Sequence, residues 1–233
     1  SAGTSLPELA NCIEAVISGH SDIAVGTVVG SNIANILLIM GATTIFCPVK
    51  SIAQNNINQS VVNIIIAAGL IFFGLFSLYF NFIFGIVALI LLTIIMMYQI
   101  KIGFVNLNNV DEKKHYSLLI AIILIIIGII LLIVGSNLFI KSAVNISNIF
   151  AIPESVIGIS LVAFGTSLPE LTVGVVSALR KKVDFALGNV LGSNIYNILG
   201  ILGASSFFGT FYIPTMVANF DLYVMISVTV IIT

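Results

Sequence analysis

The chain is poor in charge, has no tryptophan, and carries only two cysteines and two histidines in 233 residues. Charged residues make up 7% against 59% hydrophobic, and mean hydropathy is +1.23. That balance excludes an ordinary soluble domain and places the chain in a membrane. Cys12 and Cys47 sit in or at the end of apolar segments with no CxxC spacing and no histidine partner, which argues against a disulfide framework or a thiolate metal centre. Both read as small packing residues. No HExxH, GxSxG or His–Asp pairing supports an intramembrane enzyme. The first residues, Ser-Ala-Gly-Thr-Ser, provide no basic lead-in to an apolar region. A cleavable signal peptide is therefore not expected, and the start reads as truncated.

What is abundant is long apolar sequence. Eight segments qualify as spans: Gly3 to Ile17, Ile23 to Phe46, Val61 to Phe80, Phe82 to Tyr98, Leu118 to Phe139, Val156 to Leu179, Phe185 to Phe208 and Val217 to Ile232. They are rich in Ile, Leu and Val and do not alternate in polarity, so they read as helices and not as a barrel. If Gly3 to Ile17 runs outward, seven of the eight basic residues (Lys50, Lys101, Lys113, Lys114, Arg180, Lys181, Lys182) lie at cytoplasmic ends and Lys141 alone lies outside. The positive-inside rule sets that orientation, with loop 99–116 and Arg180–Lys182 cytoplasmic in a multi-pass protein of the plasma (inner) membrane.

Residues 3–46 align without a gap to residues 165–208, with about half of the positions identical. GTSLPEL at Gly3–Leu9 returns at Gly165–Leu171, and GSNIANIL at Gly30–Leu37 returns as GSNIYNIL at Gly192–Leu199. Five crossings separate the copies, so they point in opposite directions. Inverted repeats are an architecture of secondary transporters, whose ion site lies where the halves meet. The expected fold is an all-α membrane protein, an inverted-topology repeat of five transmembrane helices each. Ten helices would complete it, and about eight are present in this chain. Residues 1–98 form the first repeat, lacking its N-terminal part. Residues 99–116 form a cytoplasmic linker, and 117–233 the second repeat, lacking its C-terminal part.

Glu8 and Glu170 occupy equivalent positions deep in apolar segments. A carboxylate there costs about 2.5–3.5 kcal/mol even on the lenient insertion scale, and a bound cation would offset that cost. At helical spacing stand Thr4 and Ser5 in the first copy and Thr166 and Ser167 in the second, with Ser31 and Asn35, and Ser193 and Asn197, in the partner helices. Pro7 and Pro169, taken as helix-interior, would release the carbonyls of Gly3 and Gly165. The donors are all hard oxygens, which suit Ca²⁺ and also Na⁺. Gly26, Gly30, Gly188 and Gly192 read as close helix packing. Asp22 and Asp184 read as N-caps, while His20, Glu14, Glu154 and Asp221 lie near span ends and outside the site.

GTSLPE and GSNIxN, present twice and inverted, resemble the sodium/calcium exchanger family of the cation/calcium antiporter superfamily, whose members call these segments alpha repeats. The resemblance implies a secondary antiporter that exchanges Ca²⁺ for Na⁺ by alternating access, with Leu118 to Phe139 and a missing first span as gating helices. It implies metal ligands at Thr4, Ser5, Glu8, Ser31, Asn35, Thr166, Ser167, Glu170, Ser193 and Asn197, with backbone carbonyls from Ser1 and Ala163. Many members carry Asp where Asn197 stands, which removes one negative charge here and leaves H⁺ or K⁺ open as the counter-ion. A cation channel is the remote alternative. No cofactor, nucleic acid or obligatory protein partner is expected; the partners are the bilayer and the transported cations.

Overall fold

Long Ile/Leu/Val runs satisfy their own backbone hydrogen bonds as helices, the one open-ended way to do so in lipid. The computed structural model describes residues 3–47, 54–76, 78–103 and 118–231. Within them the chain forms α1 (Leu6–Ile17), α2 (Ser21–Phe46), α3 (Gln54–Leu75), α4 (Phe82–Gly103), α5 (Leu118–Phe150), α6 (Glu154–Thr166), α7 (Leu168–Leu179), α8 (Val183–Ser205) and α9 (Val217–Ile231). The eight expected segments all appear. One is divided: Val156 to Leu179 is a bent pair, α6 and α7, meeting at 46°. Ser1, Lys50 and linker residues 104–116 lie outside the described residues.

A short antiparallel ribbon, β1 (Tyr79–Phe80) with β2 (Phe211–Tyr212), was not foreseen. It ties the α3–α4 connection of the first repeat to the α8–α9 connection of the second, and Phe73, Phe80, Phe84 and Phe211 pack around it. Phe80 is fully buried there.

Burial sorts the helices into a centre and a rim. The apolar windows of α2 and α8 are 78% and 83% buried, whereas those of α3 and α4 are 33% and 17%. The rim therefore turns its apolar side chains to lipid, and the repeated helices form the middle. Their approach depends on glycine. A Cβ at Gly26 would come 2.5 Å from the Ser155 carbonyl of α6, and one at Gly158 would come 2.6 Å from the Ile23 carbonyl of α2. Gly30 meets Ile159 at still closer range. Backbone thus lies on backbone, as the GxxxG pair predicts.

The repeat is visible in the turns. Gly19 (φ 82°) and Lys181 (φ 57°) are equivalent positions and both take the left-handed conformation that ends a helix. The bonds that follow match: His20 N–H donates to Ala15 (2.8 Å) and Lys182 N–H to Ser177 (2.8 Å). These turns lie on opposite faces. The end of α1 abuts Gly209, just after α8, while α7 packs through Gly174 on Ile39 and Thr43 near the end of α2. Each repeat therefore closes its central helix over the broken helix of the other, and the two are inverted. His20 and Lys141 share one face; Arg180–Lys182 hold the other.

Candidate functional site

The site begins at two helix starts. Ser5 and Ser167 are the N-cap residues of α1 and α7, with nearly the same backbone angles (φ −88°, ψ 11° and φ −84°, ψ 3°). Ser-x-x-Glu is the pattern of a capping box, in which serine and glutamate satisfy each other's backbone N–H groups. Here neither serine caps its own helix. A cap hydroxyl bonds the N–H of the second or third helical residue, and the second is Pro7 or Pro169, which has none. The hydroxyls cross the interface instead. Ser5 donates to Glu170 at 2.9 Å, and Ser167 donates to Glu8 at 3.4 Å. Thr4 and Thr166 reach the same carboxylates, Glu170 and Glu8 respectively.

Two expectations change here. Pro7 and Pro169 are not helix-interior; they occupy the first turn, where proline breaks no hydrogen bond. Thr4 and Ser5 do not serve Glu8 of their own motif but Glu170 of the other. The fold interleaves the two expected half-sites.

A second layer is made of amides. Asn35 donates through Nδ2 to Asn194 Oδ1 at 2.8 Å, and Asn197 donates to Asn32 Oδ1 at 3.1 Å. These bonds are again images of each other, since 32 and 194, and 35 and 197, are equivalent in the repeat. Asn32 and Asn194 were not among the expected site residues. Their signal is in the sequence, since both copies read Gly-Ser-Asn-Ile, but helical spacing within one copy singles out only the serine and the last asparagine. There Asn35–Met40 and Tyr196–Ile201 widen into π-helix, one residue apart in the register of the repeat, a local distortion that recurs at functional sites.

Six of the ten buried polar side-chain atoms with no partner among the described residues fall into the same symmetry. Glu8 Oε2 and Glu170 Oε2 are orphaned, as are the hydroxyls of Ser31 and Ser193 and the Oδ1 atoms of Asn35 and Asn197. All six residues are at most 1% exposed. Serine and threonine in membrane helices ordinarily bond the carbonyl one turn back, as Thr27, Thr43, Ser177 and Thr229 do here. Ser31 and Ser193 do not. Unpartnered buried oxygens are costly, and six of them in three symmetric pairs call for a common ligand. No basic side chain bonds these atoms among the described residues, and the ion pair His20–Glu154, at 2.7 Å, lies away from the cage.

Ala163 is buried beside the break, and its carbonyl accepts from Ser167 N–H (3.1 Å) and Thr166 Oγ1 (3.2 Å), so it is not a free donor in this conformation. Ser1 lies outside the described residues. Asp22 and Asp184 prove not to be N-caps, because those positions are His20 and Lys182. The two acids stand in the first turn, where they face the positive end of the helix dipole.

The sodium/calcium exchanger protein family matches residues 1–101 and 120–233. The chain belongs to that family. It is 37% identical over 208 residues to an uncharacterized membrane protein of Methanocaldococcus jannaschii, covering 88% of this chain and 67% of that protein. It is 31% identical over 278 residues to the sodium/calcium exchanger MaX1 of Methanosarcina acetivorans, covering 98% and 77%. Among solved structures it superposes on the sodium-calcium exchanger NCX_Mj soaked with 10 mM Na⁺ and 10 mM Sr²⁺, with TM-score 0.70, 33% identity, and coverage of 99% and 74%. It is thus a membrane transporter of cations and not an enzyme, in the all-α fold of that exchanger. For an exchanger the donor chemistry is apt: hard oxygens alone, and two carboxylates whose combined charge balances one divalent or two monovalent cations.

Proposed function

We propose that this chain exchanges Ca²⁺ for Na⁺ across the membrane by alternating access, at a single cage formed by Thr4, Ser5, Glu8, Ser31 and Asn35 with Thr166, Ser167, Glu170, Ser193 and Asn197. One observation carries the reading: of the orphaned buried oxygens, the six that come in inverted pairs all belong to residues named as ligands from the repeated motif. Ca²⁺ takes six to eight oxygens at about 2.3–2.6 Å in adaptable geometry. Na⁺ is nearly the same size and competes for the same donors, which couples the two fluxes. The helix starts carrying Glu8 and Glu170 support a cage near the bilayer midplane: α1 and α7 have 12 residues each, about 18 Å against a core of about 30 Å. The face bearing Arg180–Lys182 is cytoplasmic in the plasma membrane, by the positive-inside rule.

Asn197, in place of an acid, favours a second reading in which H⁺ or K⁺ is the counter-ion. The test is ⁴⁵Ca²⁺ uptake into proteoliposomes of the full-length protein under separate Na⁺, K⁺ or H⁺ gradients. Uptake driven by Na⁺ alone supports the first reading. Uptake that ignores Na⁺ and follows another gradient replaces it, and uptake that needs no ion on the opposite side indicates a channel.

A further inference from the structure

A cavity of about 220 Å³ lies between α1, α5 and the break joining α6 to α7, lined by Pro7, Asn11, Gly135, Phe139, Gly165 and Thr166. Asn11 is a polar wall residue that the cage does not use. It is 6% exposed, and its Oδ1 has no partner among the described residues. Three positions after Glu8, it shares that residue's helix face and stands about 4.5 Å further toward the His20 end of α1. Thr166 lines the cavity and also reaches Glu8, so the cavity adjoins the cage. It has room for several waters, and Phe139 closes against Gly165, where a Cβ would come 3.0 Å from the ring. In the second repeat the position of Asn11 is held by Val173, so the other side has no such group.

We propose that Asn11 forms a vestibular cation subsite, where Ca²⁺ or Na⁺ still holding part of its water shell pauses between the His20 face and the glutamates. The inference rests on the exchange reading above and adds a sidedness that the symmetric cage lacks. A carboxamide oxygen replaces a water of hydration at little cost. Valine cannot, so only one of the two access routes carries the step.

The test uses full-length protein in right-side-out and everted vesicles, with the half-saturating concentration for ⁴⁵Ca²⁺ uptake measured at each face. Asn11→Val should raise that value about tenfold at the His20 face, the effect of one neutral oxygen contact, and leave the other face unchanged. Asn11→Asp, which keeps the volume and an oxygen, should lower it at the same face. Values unchanged from wild type at the His20 face in both variants, or equal shifts at both faces, overturn the proposal while leaving exchange itself intact. Wild-type vesicles with no exchange would sink the exchange reading, and this inference with it.

Discussion

Glu170→Gln is the most direct perturbation of the cage. Glutamine keeps the side-chain volume and an oxygen for the Ser5 hydroxyl, which now sits 2.9 Å from Glu170, so the crossing hydrogen bond survives. What is lost is one unit of negative charge on a group 1% exposed, with an oxygen that nothing else engages. For Ca²⁺ at about 2.4 Å and an effective dielectric of about 20, losing one unit of negative charge removes about 14 kcal/mol of attraction, because the ion is doubly charged. If half is recovered by hydration of the free ion, about 7 kcal/mol remains, or about five orders of magnitude in affinity. Uptake of ⁴⁵Ca²⁺ into Na⁺-loaded proteoliposomes should fall to background. A second readout does not need transport. Wild type at 100 times its Kd should gain about 2.7 kcal/mol of stability from Ca²⁺, and the variant should gain none. Glu8→Gln should behave alike, because its environment is the inverted copy. Normal uptake in either variant, or a Ca²⁺-induced rise in Tm that persists, would refute the assignment of both glutamates.

Asn32→Ala removes the acceptor of Asn197 and should cost about 1–3 kcal/mol in detergent unfolding, with a loss of Ca²⁺ affinity beyond what the fold loss explains; unchanged affinity would confine the amides to a structural role. Gly30→Val forces α2 from the Ile159 backbone, and overpacking of about 3 kcal/mol should appear as loss of the monodisperse peak in size-exclusion chromatography. A well-behaved variant would show that α2 and α6 do not pack as described. His20→Ala breaks a pair whose side chains are 31% and 27% exposed, so stability should drop by less than about 1 kcal/mol with Ca²⁺ flux unaltered. A large flux defect would move His20 and Glu154 into the transport machinery.

Much of this fold is readable from sequence because lipid leaves few choices: an apolar run of about 20 residues must be a helix. The internal repeat then supplied inversion and the paired glutamates without any coordinates. The failures have local causes. Val156 to Leu179 reads as continuous because its composition is apolar throughout, yet Ser167-Leu168-Pro169 restarts the helix. Periodicity cannot register such a bend. Thr4, Ser5 and Glu8 were grouped by helical spacing, but the first two precede the helix; the proline at its second position frees the serine to reach across. Asn32 and Asn194 are not singled out by spacing because their partners are other amides, and a pairing between repeats leaves no trace in spacing within one.

The crossing bonds constrain how such a cage can open. Ser5 holds Glu170 and Ser167 holds Glu8, while the amides link the same two halves through α2 and α8. If the repeats separated as rigid bodies, all four bonds would break together, exposing polar groups at membrane depth where each costs several kcal/mol. On the exchange reading, access is therefore more economical at elements that carry none of these bonds. α5 borders the cavity beside Asn11 and carries none of these four bonds, and the bend at the α6–α7 break lies against it. On that reading, movement there would uncover Glu8 and Thr166 from the His20 face while α1, α2, α7 and α8 stay bonded. A disulfide between α1 and α7 at the Ser5–Glu170 level should then leave access intact, whereas one between α1 and α5 should arrest Ca²⁺ uptake and recover it on reduction. Arrest by the first and indifference to the second would place the moving boundary between the repeats.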